Sequence, residues 1–320
     1  FPAKIAHNYM RSLEKSLEGR KVFVTGGSSG VGLAVVLDVH RAGAEVIIGT
    51  RFWENYSRTL NEIKKENPLF DGERVYPFIA DITNPDQTKG ALDKLRRHDF
   101  IPTDIVHSAA GGMEPFLKPM ALEMARLKRV PQDERDQAFL AFKEKSKTWV
   151  AENMGFAEAV NYSGPRKLIE QLSRELPRGG NVVFESSLWT TLLGYVWVPE
   201  FYRGTATTKS MFEYWLNNGG YLEANAVYTT VVSGHVIEDT GIGQFFSRFL
   251  MPLLSDAEQE IVQASFITRA DMVAATRKAL VGDHFKSSQF HRTLYVFGPG
   301  GQITTELSPK SPIFAPQLPI

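Results

Sequence analysis

Residues 201–209 read "FYRGTATTK", which places a tyrosine and a lysine seven positions apart, and residues 185–189 just upstream read "ESSLW". A phenol is a weak acid, with an ordinary pKa of about 10. An ammonium beside it favours phenolate and makes it a better proton relay or oxyanion donor near neutral pH. At a separation of about 4 Å and an effective dielectric of about 20, that attraction amounts to roughly 4 kcal/mol. Tyr202 and Lys209 are therefore candidate catalytic groups, with Ser187 first and Ser186 second as hydroxyl partners. The serines read equally well as turn or N-cap hydroxyls.

A second stretch, "VFVTGGSSGVG" at 22–32, turns from apolar strand formers into glycines and serines. Its pattern is T-G-x-x-x-G-x-G at a strand-to-helix junction. Glycines serve where the backbone bends tightly and must approach a pyrophosphate, and the following helix offers free N–H groups and partial positive charge. Thr25, Gly26, Ser28, Ser29, Gly30, Val31 and Gly32 are therefore candidate cofactor-binding residues. A tight turn without a ligand is the competing reading.

These motifs together resemble the short-chain dehydrogenase/reductase superfamily over about residues 20–300. The resemblance implies that Asp81 and Ile82 in "ADI" border an adenine. It puts Ser108, Ala109 and Ala110 in "HSAAGG", where members usually have Asn-Asn-Ala-Gly, along the cofactor. It also implies that Asn161 links a water to the lysine, that Lys209 holds the nicotinamide ribose hydroxyls, and that Val236 reaches the carboxamide. Where an acid would bind an adenosine 2′-hydroxyl, this chain has Arg51, and a guanidinium suits a 2′-phosphate. The expected cofactor is NADP(H); a solvated surface arginine is the plainer reading of Arg51.

Most members carry Tyr-x-x-x-Lys, but four residues before Lys209 stands Thr205. The spacing Tyr-x6-Lys resembles the enoyl-acyl-carrier-protein reductase branch, as does His107-Ser108. The ordinary glycine loop and the misplaced Tyr195 depart from that branch. The expected activity is NADPH-dependent hydride transfer to an enoyl or related α,β-unsaturated acyl thioester. A ketoreductase acting on a β-keto acyl or polyketide carbonyl is the alternative, and a non-catalytic NADP-binding regulatory protein the second.

The elements that must position these groups follow from hydrophobic patterning. Short Val-, Ile-, Phe- and Tyr-rich runs at 21–25, 44–50, 74–80, 104–109, 181–186, 226–233 and 293–298 predict about seven strands. They alternate with helical patterns, one opened by Asn84 as N-cap and Pro85. The expected fold is α/β, a Rossmann-type doubly wound parallel sheet with helices on both faces, as a single domain over 1–320. "GPGG" at 298–301 predicts a turn. A helical insertion at about 114–150, divided by Pro131, predicts an acyl-chain wall, a subunit contact or a solvated excursion.

Thirty-six basic residues balance 36 acidic ones in 320, without a polybasic run, so no nucleic-acid or anionic-membrane footprint is present. There are no cysteines, which excludes disulfides and thiolate chemistry. Scattered histidines predict no metal site. Neither a leader nor a membrane span is expected, and a cytoplasmic location fits. The expected partner is a small-molecule or carrier-bound acyl substrate, and the resemblance implies a homodimer or homotetramer.

Overall fold

Alternation within the strand runs explains the architecture. In β1 (Lys21–Thr25) Val22 and Val24 face one side and Phe23 the other; all three are fully buried, so apolar layers must cover both faces. The computed structural model describes residues 16–66, 72–194, 198–251, 259, 263, 266–281, 290–298 and 300–307. Its eight-stranded sheet has the order β3-β2-β1-β4-β5-β6-β7-β8. The first seven strands are parallel: β1, β2 (Glu45–Thr50), β3 (Val75–Ile79), β4 (Asp104–His107), β5 (Asn181–Ser187), β6 (Tyr228–Gly234) and β7 (His291–Phe297). The doubly wound α/β sheet expected from the sequence is thus present.

One side of the sheet is covered by α1 (Gly30–Arg41), through Val35, Val36 and Val39, with Ala275 and Ala279 of the late helix 269–281. The same side carries α2 (Trp53–Glu66), through Tyr56 and Ile63, and on the other side lies α3 (Pro85–Arg97), whose Leu92 and Leu95 pack beneath Phe23 and Phe78. Asn84 caps α3 as expected, accepting hydrogen bonds from Asp86 N and Gln87 N.

Three sequence expectations are corrected. The strand expected at 104–109 ends at His107, because the next residues turn away toward the insertion. The strand expected from 226 begins at Tyr228, since Ala226 takes a left-handed φ of 55° that interrupts extended backbone. An eighth strand, β8 (Gln302–Thr304), joins β7 antiparallel through the Gly298–Gly301 turn. Its three residues are too few to show a periodicity.

The insertion is helical, as expected: α4 (Glu114–Leu127) and α5 (Arg135–Glu158). Phe116, Met120, Met124 and Leu127 form one buried face of α4, packed with Phe142 of α5 and with Trp189, Phe201 and Phe246. A purely solvated excursion does not describe it. After α5 the helical backbone runs on through one π turn, Ala159–Ser163, into α6 (Gly164–Leu172). Pro165 has no N–H to return to residue 161, and Gly164 N–H instead reaches Ala159 O. That wider turn carries the buried Asn161.

Asp104, fully buried at the start of β4, ties the centre of the sheet together. It accepts from Arg20 Nε at 2.7 Å, from Thr103 Oγ1 at 2.6 Å, and from Asn181 N and Nδ2 at 3.1 and 2.9 Å. Asp104→Ala is expected to cost about 3–5 kcal/mol in urea denaturation, because it strands a guanidinium and a buried strand N–H. A loss below about 1 kcal/mol would show that these partners are satisfied in other ways.

Candidate active site

The order of strands reverses between β1 and β4, and the crevice above their C-terminal ends is where such sheets bind ligands. A cleft of about 500 Å³ opens there. Its floor needs glycine. Gly26 has φ +67°, and a Cβ on it would lie 2.8 Å from Ala109 Cα; on Gly32 a Cβ would lie 2.4 Å from Gly26 O. Gly30, at φ +56°, faces open space. Ser29 makes no side-chain cap on α1, which leaves the first N–H groups of that helix to a phosphate. This cradle fits a dinucleotide. The cleft is lined by every cofactor residue expected from the sequence: Thr25, Gly26, Ser28, Ser29, Gly30, Val31, Gly32, Arg51, Asp81, Ile82, Ser108, Ala109, Ala110, Lys209 and Val236.

Thr25 fastens the floor to β4. Its Oγ1 lies 2.7 Å from His107 Nδ1 and accepts from Ala109 N at 3.3 Å. His107 stacks on Phe184, and burial, with Lys209 nearby, pushes its pKa down to about 3, so the ring is neutral. At the adenosine end, Ser28 Oγ and Thr50 Oγ1 are 3.0 Å apart, and Arg51 and Asn55 line the rim.

The reacting end is built on α8 (Glu200–Asn218), which follows the short α7 (Leu188–Thr191). Seven helical residues turn through about 700°, within about 20° of the same face, and rise about 10.5 Å; four residues rise about 6 Å. Tyr202 thus lies on the Lys209 face of α8 one turn before Thr205, and both Tyr202 and Lys209 line the cleft with Ser186 and Ser187. Thr205 is buried, with its Oγ1 donating to Gly111 O at 3.2 Å. A Cβ on Gly112 would lie 3.0 Å from that hydroxyl, so the position is packed against the loop.

Lys209 Nζ donates to the Glu185 carbonyl at 3.1 Å and lies 5.2 Å from the Phe184 ring centroid. Burial pushes the ammonium down to about 8, against the opposing pull of the Glu213 and Glu185 carboxyl groups. The tuning of Tyr202 differs from the sequence expectation. Its phenol is pushed up to about 12 by burial, partly offset by the Ser187 and Thr190 hydroxyls, with Glu213 adding to the rise. Two helical turns separate it from Lys209, and the phenol stays protonated. Ser187 also caps α7, accepting from Trp189 N at 3.3 Å, the N-cap role weighed from the sequence.

Asn161 holds the β4 loop directly. Its Oδ1 accepts from Gly111 N at 3.0 Å, while Nδ2 donates to Gly111 O at 2.9 Å and Thr208 Oγ1 at 3.1 Å. Two buried carboxyl groups escaped sequence reasoning. Glu185 accepts from Ser108 Oγ and, at 2.8 Å, from Thr276 Oγ1. Glu213 accepts from Ser186 Oγ and, at 2.9 Å, from Thr191 Oγ1. The available signals were Glu185 inside an apolar strand run and Glu213 one turn after Lys209. Beyond Tyr202 the cleft is walled by Trp189, Phe201, Phe245 and Phe246, with His235 and Phe156. Tyr195, weighed as a second active-site tyrosine, lies outside the described residues. Among the described residues no metal-ligand cluster occurs, and no helix is long and apolar enough to cross a membrane.

The sequence matches the short chain dehydrogenase family over residues 20–199. It is similar to versicolorin reductase 1 of Dothistroma septosporum, 27% identical over 180 residues, covering 56% of this chain and 55% of that protein. It is also similar to a Caenorhabditis elegans protein named as a probable 2,4-dienoyl-CoA reductase, 32% identical over 97 residues, covering 30% of each. The matched region spans about half or less of these relatives. Among solved structures, a 3-oxoacyl-[acyl-carrier protein] reductase from Brucella melitensis with bound NAD superposes with a TM-score of 0.63 at 18% identity, covering 90% of this chain and 93% of that one. A Salmonella enterica short chain dehydrogenase gives 0.61 at 19% identity, covering 88% and 97%. At these identities the likeness establishes the fold.

Neutral His107 carries a pH signature. Unfolded, the imidazole titrates near its ordinary 6.5; folded, it resists protonation down to about 3. The unfolded chain therefore binds the extra proton between these values, and stability falls as pH drops below about 6.5. Compared with His107→Asn, the wild type should lose about 2 kcal/mol more between pH 7 and pH 5 in urea denaturation. Identical pH slopes would mean that the imidazole is free to charge in the fold.

Proposed function

This chain belongs to the short chain dehydrogenase family, and on that premise we propose that it is an NADPH-dependent reductase acting on an apolar α,β-unsaturated acyl thioester. One observation carries the reading: Tyr202 and Ser187 line the same cleft that has the dinucleotide cradle at its other end.

The glycine floor and the start of α1 would hold the pyrophosphate, Asp81 and Ile82 the adenine, and Arg51 with Ser28 and Asn55 a 2′-phosphate. Lys209 would hold the ribose hydroxyls. When bound, the reduced nicotinamide supplies hydride. Tyr202 donates a hydrogen bond to the substrate oxygen as negative charge grows there, and Ser187 adds a second donor. The phenol is protonated at neutral pH, so it is available to donate a hydrogen bond to the substrate oxygen. For an enoyl thioester the oxygen needs stabilisation as an enolate while the proton ends on carbon. A phenol two turns from Lys209 suits that task, because no lysine-driven relay is required. The wall of Trp189, Phe201, Phe245 and Phe246, backed by α4, suits an apolar acyl chain. The named dienoyl-CoA reductase relative fits this reading.

Carbonyl reduction is the second reading. It is favoured by Ser187 lining the cleft with Tyr202, since two hydroxyl donors would serve a ketone oxygen equally well. NADPH oxidation with crotonyl and acetoacetyl thioesters offered side by side separates the two. Crotonyl turnover alone is expected. Acetoacetyl turnover alone would establish carbonyl reduction, and silence with both would overturn the thioester reading. Arg51→Ala is expected to weaken NADPH binding about tenfold, or about 1.4 kcal/mol, and NADH binding little. Equal losses would remove the 2′-phosphate assignment.

A further inference from the structure

Glu213 is a buried acid that the chemistry above does not use, and its surroundings are specific. It sits on α8 one turn after Lys209, on the same face, and is 7% exposed. Its Oε1 accepts from Ser186 Oγ at the end of β5 and from Thr191 Oγ1 at the end of α7. Thr191 Oγ1 also lies 3.3 Å from Ser187 O and 2.7 Å from Ser233 Oγ on β6. One carboxyl group therefore grips both ends of the 186–191 turn, and that turn carries Ser187, which lines the cleft with Tyr202.

We propose that Glu213 is a positioning residue of this active site, which clamps the Ser187-bearing turn to α8 and supplies the counter-charge that keeps Lys209 an ammonium in a buried place. The proposal rests on the reductase reading above, but its consequences can be read without turnover.

A carboxyl group is suited to both tasks. It accepts two hydroxyl donors on one oxygen and carries the charge that a buried lysine needs. Burial pushes Glu213 up to about 7, while the Ser186 and Thr191 hydroxyls and Lys209 pull it down. The other groups facing the Lys209–Glu213 pair are the Glu185 carboxyl on β5, neutral His107 on β4, Tyr295 on β7 and Tyr202 on α8. Of these only Glu185 can share the counter-charge role. It already accepts from Ser108 and Thr276, and its own burial raises its pKa. Removing the Glu213 charge leaves Lys209 with Glu185 as its remaining carboxyl partner. Removing one hydroxyl tie loosens the turn and leaves the charge in place. The two tasks can thus be tested separately.

The test uses the full chain labelled with ¹³Cε-lysine and ¹³Cζ-tyrosine, followed by NMR over pH without cofactor. Lys209→Arg and Tyr202→Phe assign the signals. In Glu213→Gln the Lys209 midpoint is expected to fall from about 8 by roughly half a unit or more. Thr191→Val keeps the carboxyl and is expected to leave that midpoint in place while shifting the Tyr202 signal. A Lys209 midpoint unchanged in Glu213→Gln would overturn the proposal, and so would a Tyr202 signal indifferent to Thr191→Val. If Glu213→Gln does not fold, Thr191→Val and Ser186→Ala still decide whether the turn is clamped, and an unmoved Tyr202 signal in both overturns the proposal. With crotonyl thioester, both Glu213→Gln and Thr191→Val should lower kcat about tenfold or more at unchanged NADPH Kd. Unchanged kcat in both would count against positioning. A wild type inactive on crotonyl and acetoacetyl thioesters would defeat the functional reading, and the titrations would still judge Glu213.

Discussion

A lysine ammonium with 6% exposure is the constraint around which the reacting end is organised. A charge removed from water must be paired and hydrogen-bonded or it neutralises. Lys209 meets this with the Glu185 carbonyl and with carboxyl groups on either side, from β5 and from its own helix. Those carboxyl groups need donors in turn, and Ser108, Thr276, Ser186 and Thr191 supply them. The network therefore joins β5 and α8 to the β4 loop, the 186–191 turn and the helix at 269–281. Its hydroxyls are the same ones that fix the walls of the cleft.

Against that rigid base the tyrosine is displaced without leaving its face of the helix. Moving a side chain three positions toward the N-terminus of α8 changes its direction by about 60° and its height by about 4.5 Å. Thr205 fills the vacated position by hydrogen-bonding Gly111, and the loop after β4 closes over it. Tyr202 meets Trp189 edge-on, with ring centroids 5.3 Å apart, at the boundary between the polar network and the aromatic wall. The α4 insertion continues that wall through Phe116, Met120 and Met124, so the extra sequence thickens the apolar side of the site.

What could be read in the sequence was local. The glycine loop is legible because the close approaches of Gly26 and Gly32 depend on residues a few positions apart in one strand-to-helix turn. The cleft gathers Arg51, Asp81, Ser108 and Val236 because each follows a parallel strand, and the C-terminal ends of parallel strands lie along one edge of the sheet. Glu185 and Glu213 were illegible because nothing local marks a carboxyl as buried; their donors come from segments as far as 91 residues away. The direction of the Tyr202 shift was missed for a related reason. Proximity in sequence suggested an ammonium beside the phenol, whereas two helical turns and an apolar wall let burial win. The strand β8 was missed because its pairing with β7, rather than its own three residues, defines it.

The central claim is that Tyr202 supplies the hydrogen bond that an ordinary Tyr-x-x-x-Lys tyrosine would supply from position 205. The most direct measurement compares kcat and NADPH affinity for wild type and Tyr202→Phe on the thioester that the wild type reduces. In Tyr202→Phe kcat is expected to fall by about 10²-fold or more, as for loss of one oxyanion donor, with the NADPH Kd little changed. Wild-type kcat in Tyr202→Phe would contradict it and move the donor to Ser187.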